Sequence, residues 1–111
     1  MSVTDTHKLM AANAHQASAF LKKLANEHRL MILCALVERE MSVGELNALV
    51  PLSQSALSQH LAGLRTAELV STRRQGQTIF YAIANPAVQA VIQLLHDQFC
   101  PDGIAPAGEP Q

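Results

Sequence analysis

The spacing of apolar residues predicts four helices in the first part of the chain. The segment HKLMAANAHQASAFLKKLA places its apolar side chains on one face at helical spacing. The next segment, EHRLMILCALVERE, is apolar almost all the way round, which predicts a helix buried on every side. Ser42 and Glu45 then form a capping-box pattern at the start of SVGELNALV. Ser53, after Pro51, is placed to cap QSALSQHLAGLRTAEL, so the third and fourth helices predict a helix–turn–helix.

After the fourth helix, the pattern changes from helical spacing to alternation. LVSTRRQGQTIFYAI contains two β-rich segments around a turn with Gly76, which predicts a hairpin. Asn85 and Pro86 begin a final helix that extends to about Cys100. The predicted fold is therefore mainly α with a small β-hairpin, a winged helix–turn–helix in the order α-α-α-α-β-β-α. Residues 101–111, PDGIAPAGEPQ, are rich in Pro and Gly and predict a disordered tail.

Composition and charge narrow the class of protein. The 111 residues suit one domain, with residues 1–100 as its folded part. A net charge of −1 means that any binding to nucleic acid must come from a local basic patch. The N-terminal segment lacks a secretory pattern, and the longest apolar run, LMILCALV, is far too short to span a membrane. Two cysteines without an export signal predict a cytoplasmic, reducing location.

One face of the fourth helix has the composition of a DNA-reading surface. Its inward stripe is formed by Leu57, Leu61 and Leu64. The opposite face is uncharged and short-chained: Ser55, Ser58, Gln59 and Ala62. Ser and Gln can hydrogen-bond base edges in a major groove, and small neighbours allow close approach. A merely solvated face usually carries Glu and Lys, so this pattern favours double-stranded DNA as the partner.

The predicted hairpin carries two arginines, Arg73 and Arg74, next to its turn. Such a tip suits phosphates or a minor groove, with a solubilising turn as the alternative. Because basic residues are few, we expect two protomers to be needed for useful affinity. The first and last helices have broad apolar stripes and are the predicted dimer surfaces.

The predicted last helix has its apolar and its polar side chains on different faces. Its apolar stripe is formed by Val88, Val91, Ile92, Leu95 and Phe99. Cys100 instead falls on a polar flank with Gln89, Gln93 and His96. An accessible thiol on such a flank is open to chemical modification. Cys34, among Leu30, Leu33 and Val37, is by its surroundings a buried and inert hydrophobe.

The segments LANEHRLMILCAL and SVGELNALVPLSQSALSQHLAGLRTAELVSTRRQGQTIFYAI, with the closing helix, resemble the ArsR/SmtB family of winged-helix repressors. The most specific part is LSQSALSQHLAGLR. The resemblance implies a homodimer that represses from a pseudo-palindromic operator until an inducer lowers its affinity. It also implies a set of DNA-contacting residues: Gln54, Ser55, Ser58, Gln59, His60, Arg73 and Arg74. His60 lies on the flank of the helix, where hydrogen bonding within the domain is an equal alternative.

The positions of Cys34 and Cys100 resemble the sulfide- and redox-responsive branch of this family. That resemblance implies that reactive sulfur species or oxidants link the two cysteines and thereby change DNA affinity. The metal patterns of other members are absent, because ELNALV has no Cys or His and the last helix offers only the adjacent His96 and Asp97. We therefore expect no cofactor and no metal.

Two alternatives remain open at this point. One is a metal or metalloid sensor that uses Cys34, Cys100 and His96, since His96 and Cys100 are spaced like metal ligands on a helix. The other is a winged helix that binds proteins and never touches DNA. An enzyme is not expected, because no nucleophile–base–orienter set and no phosphate-binding loop occurs in the sequence.

Overall fold

The computed structural model describes residues 3–99, and the order of elements within them is the predicted one with one short strand added. Cys100 and the tail predicted to be disordered, residues 101–111, lie outside the described residues. The elements are α1 (Val3–Leu24), α2 (Glu27–Leu36), β1 (Met41–Ser42), α3 (Val43–Leu49), α4 (Gln54–Thr66), β2 (Val70–Gln75), β3 (Thr78–Ile83) and α5 (Pro86–Phe99).

The predicted helix caps are present. Ser42 Oγ accepts from the Glu45 amide at 3.2 Å, and the Ser42 amide donates to Glu45 Oε1 at 2.9 Å, which completes the capping box of α3. Ser53 Oγ accepts from the Ala56 amide at 3.1 Å and so begins α4. Asn85 Oδ1 accepts from the Val88 amide at the start of α5. These local bonds fix where the helix–turn–helix and the last helix begin.

The end of α2 was placed too late by the sequence pattern. The predicted helix ran to Glu40, whereas α2 ends at Leu36, and the Val37 amide bonds to the Cys34 carbonyl at 3.2 Å. After the helix, the chain continues to Met41, which pairs with Tyr81 in a sheet. Pairing with a strand 40 residues away leaves no mark on the local periodicity.

The sheet is antiparallel, with strand order β1-β3-β2. β2 and β3 pair without interruption from Val70 opposite Ile83 to Gln75 opposite Thr78. The turn between them contains Gly76 at φ +64°, a left-handed conformation that glycine adopts without steric cost. The strand β1 was not predicted, because two residues are too few to show alternation.

The core lies between the helix–turn–helix, α2, the sheet and α5. The predicted inward stripe of α4 is confirmed, since Leu57, Leu61 and Leu64 are fully buried. Phe99, predicted on the apolar stripe of the last helix, is 75% exposed. Within residues 3–99, no helix combines the length and apolarity needed to cross a membrane.

Candidate nucleic-acid interface and the neighbouring thiol

The outer face of α4 is exposed and carries no acidic side chain. The polar residues predicted to contact DNA there are all solvent-exposed: Gln54, Ser55, Ser58 and Gln59. Ser55 Oγ lies 3.3 Å from Ser53 Oγ, so the hydroxyls cluster at the N-terminal end of the helix. That end has a positive partial charge from its amides, and no carboxylate in its first turn offsets it. The face is short-chained, rich in hydrogen-bonding groups and favourable to an anionic partner.

His60 lies on the other flank of α4 and is half-buried. Its ring contacts that of His28 on α2, with the ring centroids 5.5 Å apart. One turn further along, a Cβ at Gly63 would lie 3.2 Å from Arg29 Nη2. The expected intradomain alternative for His60 was a hydrogen bond. The contact that the structure shows is ring packing with His28, between α2 and α4.

The β2–β3 hairpin is the wing of the fold. Its two arginines, Arg73 and Arg74, are both exposed but have different partners. Arg73 Nε donates to both carboxylate oxygens of Glu40 at 3.1 Å, and Nη2 donates to Glu40 Oε1. These hydrogen bonds lower the pKa of Glu40 and raise the pKa of Arg73. Arg74 instead donates from Nε to the carbonyl of Gly76 at 3.1 Å, so its charge stays beside the turn without a carboxylate partner among the described residues.

Cys34 is half-buried, which differs from the buried position that its sequence neighbours suggest. It lies on α2 in the wall of an apolar cavity of about 430 Å³, together with Met31, Leu95 and Phe99. Phe99 is the residue before Cys100 in the chain. Cys100 lies outside the described residues, so its expected exposure and its distance from Cys34 stay predictions.

His96 was predicted on the polar flank of the last helix, and this is wrong. It is 5% exposed, because the core-facing line of α5 runs through Val88, Ile92 and His96 at a spacing of four. Neither ring nitrogen has a hydrogen-bond partner among the described residues. Asp97 Oδ1 lies 3.8 Å from Nδ1, which is too far for a hydrogen bond.

The metal alternative has no complete ligand set within residues 3–99. No three His, Cys, Asp or Glu side chains in that range lie close enough to hold an ion. The set that the sequence suggested includes Cys100, which lies outside the range.

Comparison with known proteins gives one family and a consistent set of relatives. Residues 26–72 match the model of a family described as "Bacterial regulatory protein, arsR family". Transcriptional activator HlyU from Vibrio cholerae serotype O1 is 53% identical over 91 residues, 82% of this chain and 84% of that protein. These relatives are regulators of transcription rather than enzymes.

Solved structures of arsR-type regulators have the same fold as this chain. Reduced HlyU from Vibrio cholerae N16961 is 52% identical with a TM-score of 0.78, over 84% of this chain and 98% of that chain. The transcriptional repressor BigR from Xylella fastidiosa is 35% identical with a TM-score of 0.80, over 90% of this chain and 99% of that chain. The winged helix–turn–helix predicted from the sequence is confirmed.

Proposed function

Because this chain belongs to the arsR family of bacterial regulatory proteins and is a transcriptional regulator, we propose that it is a dithiol-based repressor. As a homodimer it binds a pseudo-palindromic operator in the cytoplasm, and a bridge between Cys34 and Cys100 changes its affinity. The observation that carries the proposal is the exposed, acid-free Ser/Gln face of α4.

In this proposal, α4 enters the major groove and the wing lies beside the flanking backbone. Hydroxyl and amide groups of α4 bond to base edges, where Gln54, Ser55, Ser58 and Gln59 have no bulky charged neighbour in the way. His60 stands at the margin of this surface, and the wing, which contains Arg73 and Arg74, brings positive charge beside the phosphates. Two protomers related by a two-fold axis would place two such helices one helical turn apart on the duplex.

Exposed apolar side chains on α1 and α5 support the homodimer. Met10 is 64% exposed on α1, and Leu94 is 69% exposed on α5 beside the exposed Phe99. Leu21 adds a further exposed apolar side chain near the end of α1. A second copy that covers these side chains removes apolar surface from water at about 25 cal/mol for each Å². The first and last helices therefore suit the dimer interface.

The half-buried position of Cys34 beside the last turn of α5 supports the thiol response. HlyU from Vibrio cholerae, a relative at 53% identity, has been solved in a form described as reduced. With hydrogen peroxide, one thiolate attacks a peroxide oxygen, the O–O bond breaks, and a sulfenic acid and hydroxide form; the hydroxide takes up a proton to give water. The second thiol then attacks that sulfur, the S–S bond forms and a second water leaves. With an inorganic polysulfide, each thiolate instead attacks a sulfane sulfur, a persulfide forms and a shorter polysulfide leaves. One persulfide then attacks the inner sulfur of the other, hydrosulfide leaves and the bridge contains three sulfur atoms.

A direct disulfide requires Cα atoms within about 4.4–6.8 Å, and a bridge with extra sulfur tolerates a wider gap. Such a bridge would tie α2 to the chain after α5. Because α2 also packs on α4, a shift of α2 alters where the recognition face lies. A coupling free energy of about 1–3 kcal/mol between bridging and DNA binding corresponds to about 5–150-fold weaker operator affinity.

The test treats the reduced protein with inorganic polysulfide and, separately, with hydrogen peroxide. Intact and peptide masses report the cross-link, and fluorescence anisotropy reports DNA affinity. We expect a Cys34–Cys100 link within one chain and weaker binding. Cys34→Ser and Cys100→Ser should bind DNA like the wild type and lose the response.

Three results would each overturn part of the proposal. If Cys100→Ser still responds, the dithiol scheme is wrong. If Cys34 stays a thiol under both reagents, the metal sensor is the hypothesis to test, by asking whether stoichiometric zinc survives dialysis and weakens DNA binding. A chain without salt-dependent affinity for any duplex would instead be a protein-binding winged helix.

A further inference from the structure

We infer that Glu40 is a positioning residue that holds Arg73 across the sheet and away from DNA phosphates, so that Arg74 carries the wing's charge to the DNA. This inference rests on the proposed DNA-binding function and assigns different roles to the two arginines of the wing. The residues concerned lie outside α4, and the inference does not depend on the thiols.

The first support is the path that the Arg73 side chain takes. Arg73 belongs to β2, the outer strand, and its Cα partner on the central strand β3 is Phe80. The guanidinium carbon lies 4.8 Å from the centroid of the Phe80 ring. Beyond Phe80, at the far edge of the sheet, Ser42 pairs with the same residue. Arg73 therefore crosses the central strand and reaches the residues that precede β1.

The second support is the fit of the guanidinium to Glu40. Nε donates to both carboxylate oxygens, and Nη2 donates to one of them, so two different nitrogens face one carboxylate. Nη1 donates to Gln75 Oε1 at 3.0 Å. With the Phe80 ring against one face of the guanidinium, Arg73 has partners on one face and at the edges of its planar group.

The pairing of Arg73 with Glu40 decides which arginine of the wing can neutralise DNA phosphates. Counterion release counts the cations that neutralise phosphates, and an arginine neutralised by a carboxylate adds nothing to that count. The hydrogen bonds from Arg73 keep Glu40 ionised, since they lower its pKa. Arg74 donates only to the Gly76 carbonyl among the described residues, so it keeps its full charge at the turn.

The experiment measures the salt dependence of affinity for a mixed-sequence duplex of about 30 base pairs, long enough for two half-sites one turn apart. The full-length reduced protein is compared with Glu40→Gln, with Glu40→Gln combined with Arg73→Gln, and with Arg74→Gln. Glu38→Gln is the matched control, because Glu38 is an exposed acid two residues away with no ion pair among the described residues.

Glu40→Gln releases Arg73 to the phosphates, so the slope of log affinity against log salt steepens by up to about 0.9 per protomer. For a dimer, affinity then falls about 12-fold more than in the wild type between 50 and 200 mM salt, by the same relation. The double variant returns to the wild-type slope, whereas Arg74→Gln is shallower by about 0.9 per protomer. Glu38→Gln keeps the wild-type slope.

The inference is overturned if Glu40→Gln and Glu38→Gln have the same slope. It is also overturned if the double variant is shallower than the wild type, because Arg73 would then contact phosphates in the native protein. A wild-type chain with no salt-dependent affinity for the duplex would contradict the proposed function itself, which separates the two failures.

Discussion

His28 on α2 packs against His60 on α4, with the ring centroids 5.5 Å apart and the ring planes inclined at 51°. Arg29, the next residue, donates from Nη1 to the Lys23 carbonyl at 2.9 Å and lies over Gly63. The helix that carries Cys34 is therefore in side-chain contact with the helix proposed to enter the major groove. A displacement of α2 would therefore reach α4 within a single chain.

The first prediction concerns the strength of this contact. In urea unfolding of His28→Ala, His60→Ala and the double variant, we expect a coupling free energy of about 0.5–1.5 kcal/mol, as for other ring pairs. His15→Ala combined with His60→Ala is the control, since His15 lies exposed on α1 and should act additively. Additive behaviour of His28 and His60 would contradict a packing role for His60.

The second prediction concerns pH and the capping box of α3. Hydrogen bonds from the Ser42 amide, and then from Arg39, hold the pKa of Glu45 below its ordinary value of 4.5. A carboxyl whose pKa is lower in the folded state stabilises that state above the unfolded pKa, and the contribution disappears as pH falls through the folded value. The difference in free energy of unfolding between the wild type and Glu45→Gln should therefore be constant from pH 5 to 7 and shrink below pH 4.5.

Glu38→Gln is the comparison for that titration, because Glu38 is exposed and takes no part in the capping box. A Glu45 difference that stays the same down to pH 3 would show that the cap does not depend on the ionised carboxylate. Ser42→Ala should cost about 1 kcal/mol at neutral pH, as N-cap replacements commonly do.

The sequence predicted features encoded within a few residues of each other. Ser42 and Glu45, three residues apart, formed the expected capping box, and Gly76 lies in the expected turn. It missed the bond between Glu40 and Arg73, which joins residues 33 apart. No local periodicity carries such a pair, because its geometry depends on how β1 and β2 flank β3.

The position of His96 on α5 was predicted wrongly for a different reason. The sequence pattern placed His96 on the polar flank, because the stripe was drawn through the most apolar residues, which ended with Phe99. The helix instead packs along Val88, Ile92 and His96, and the line two residues away, which includes Leu94, is exposed. A helix with apolar residues on several sectors has no unique inward face in its sequence.

The third prediction follows from the burial of His96. Both ring nitrogens lack a hydrogen-bond partner among the described residues, and an unsatisfied buried polar group costs about 1–3 kcal/mol. His96→Met fills similar space without that cost, so we expect the free energy of unfolding to rise by about 1 kcal/mol in urea titration. A loss of stability of that size would instead mean that the His96 ring has a stabilising partner in the folded protein.

The fourth prediction concerns assembly through α1 and α5. Leu94→Asp places a charge in the proposed interface, where it would be buried without a partner, so we expect monomers by sedimentation velocity at micromolar concentration. Ile79→Asp is the matched control, because Ile79 is also an exposed apolar residue but lies on the wing. Dimers that persist in Leu94→Asp would place the interface elsewhere.

The pairing of β1 with β3 also bears on how the chain is synthesised. Ser42 begins α3 and lies opposite Phe80, so the start of the helix–turn–helix is held by a strand made 38 residues later. Translation proceeds from the N-terminus, and α3 and α4 leave the ribosome before their supporting strand exists. A nascent chain that stalls before residue 80 therefore holds both helices without the sheet that anchors them. We therefore expect DNA recognition to be acquired late in translation, when the wing is complete, and to be lost in products truncated before it.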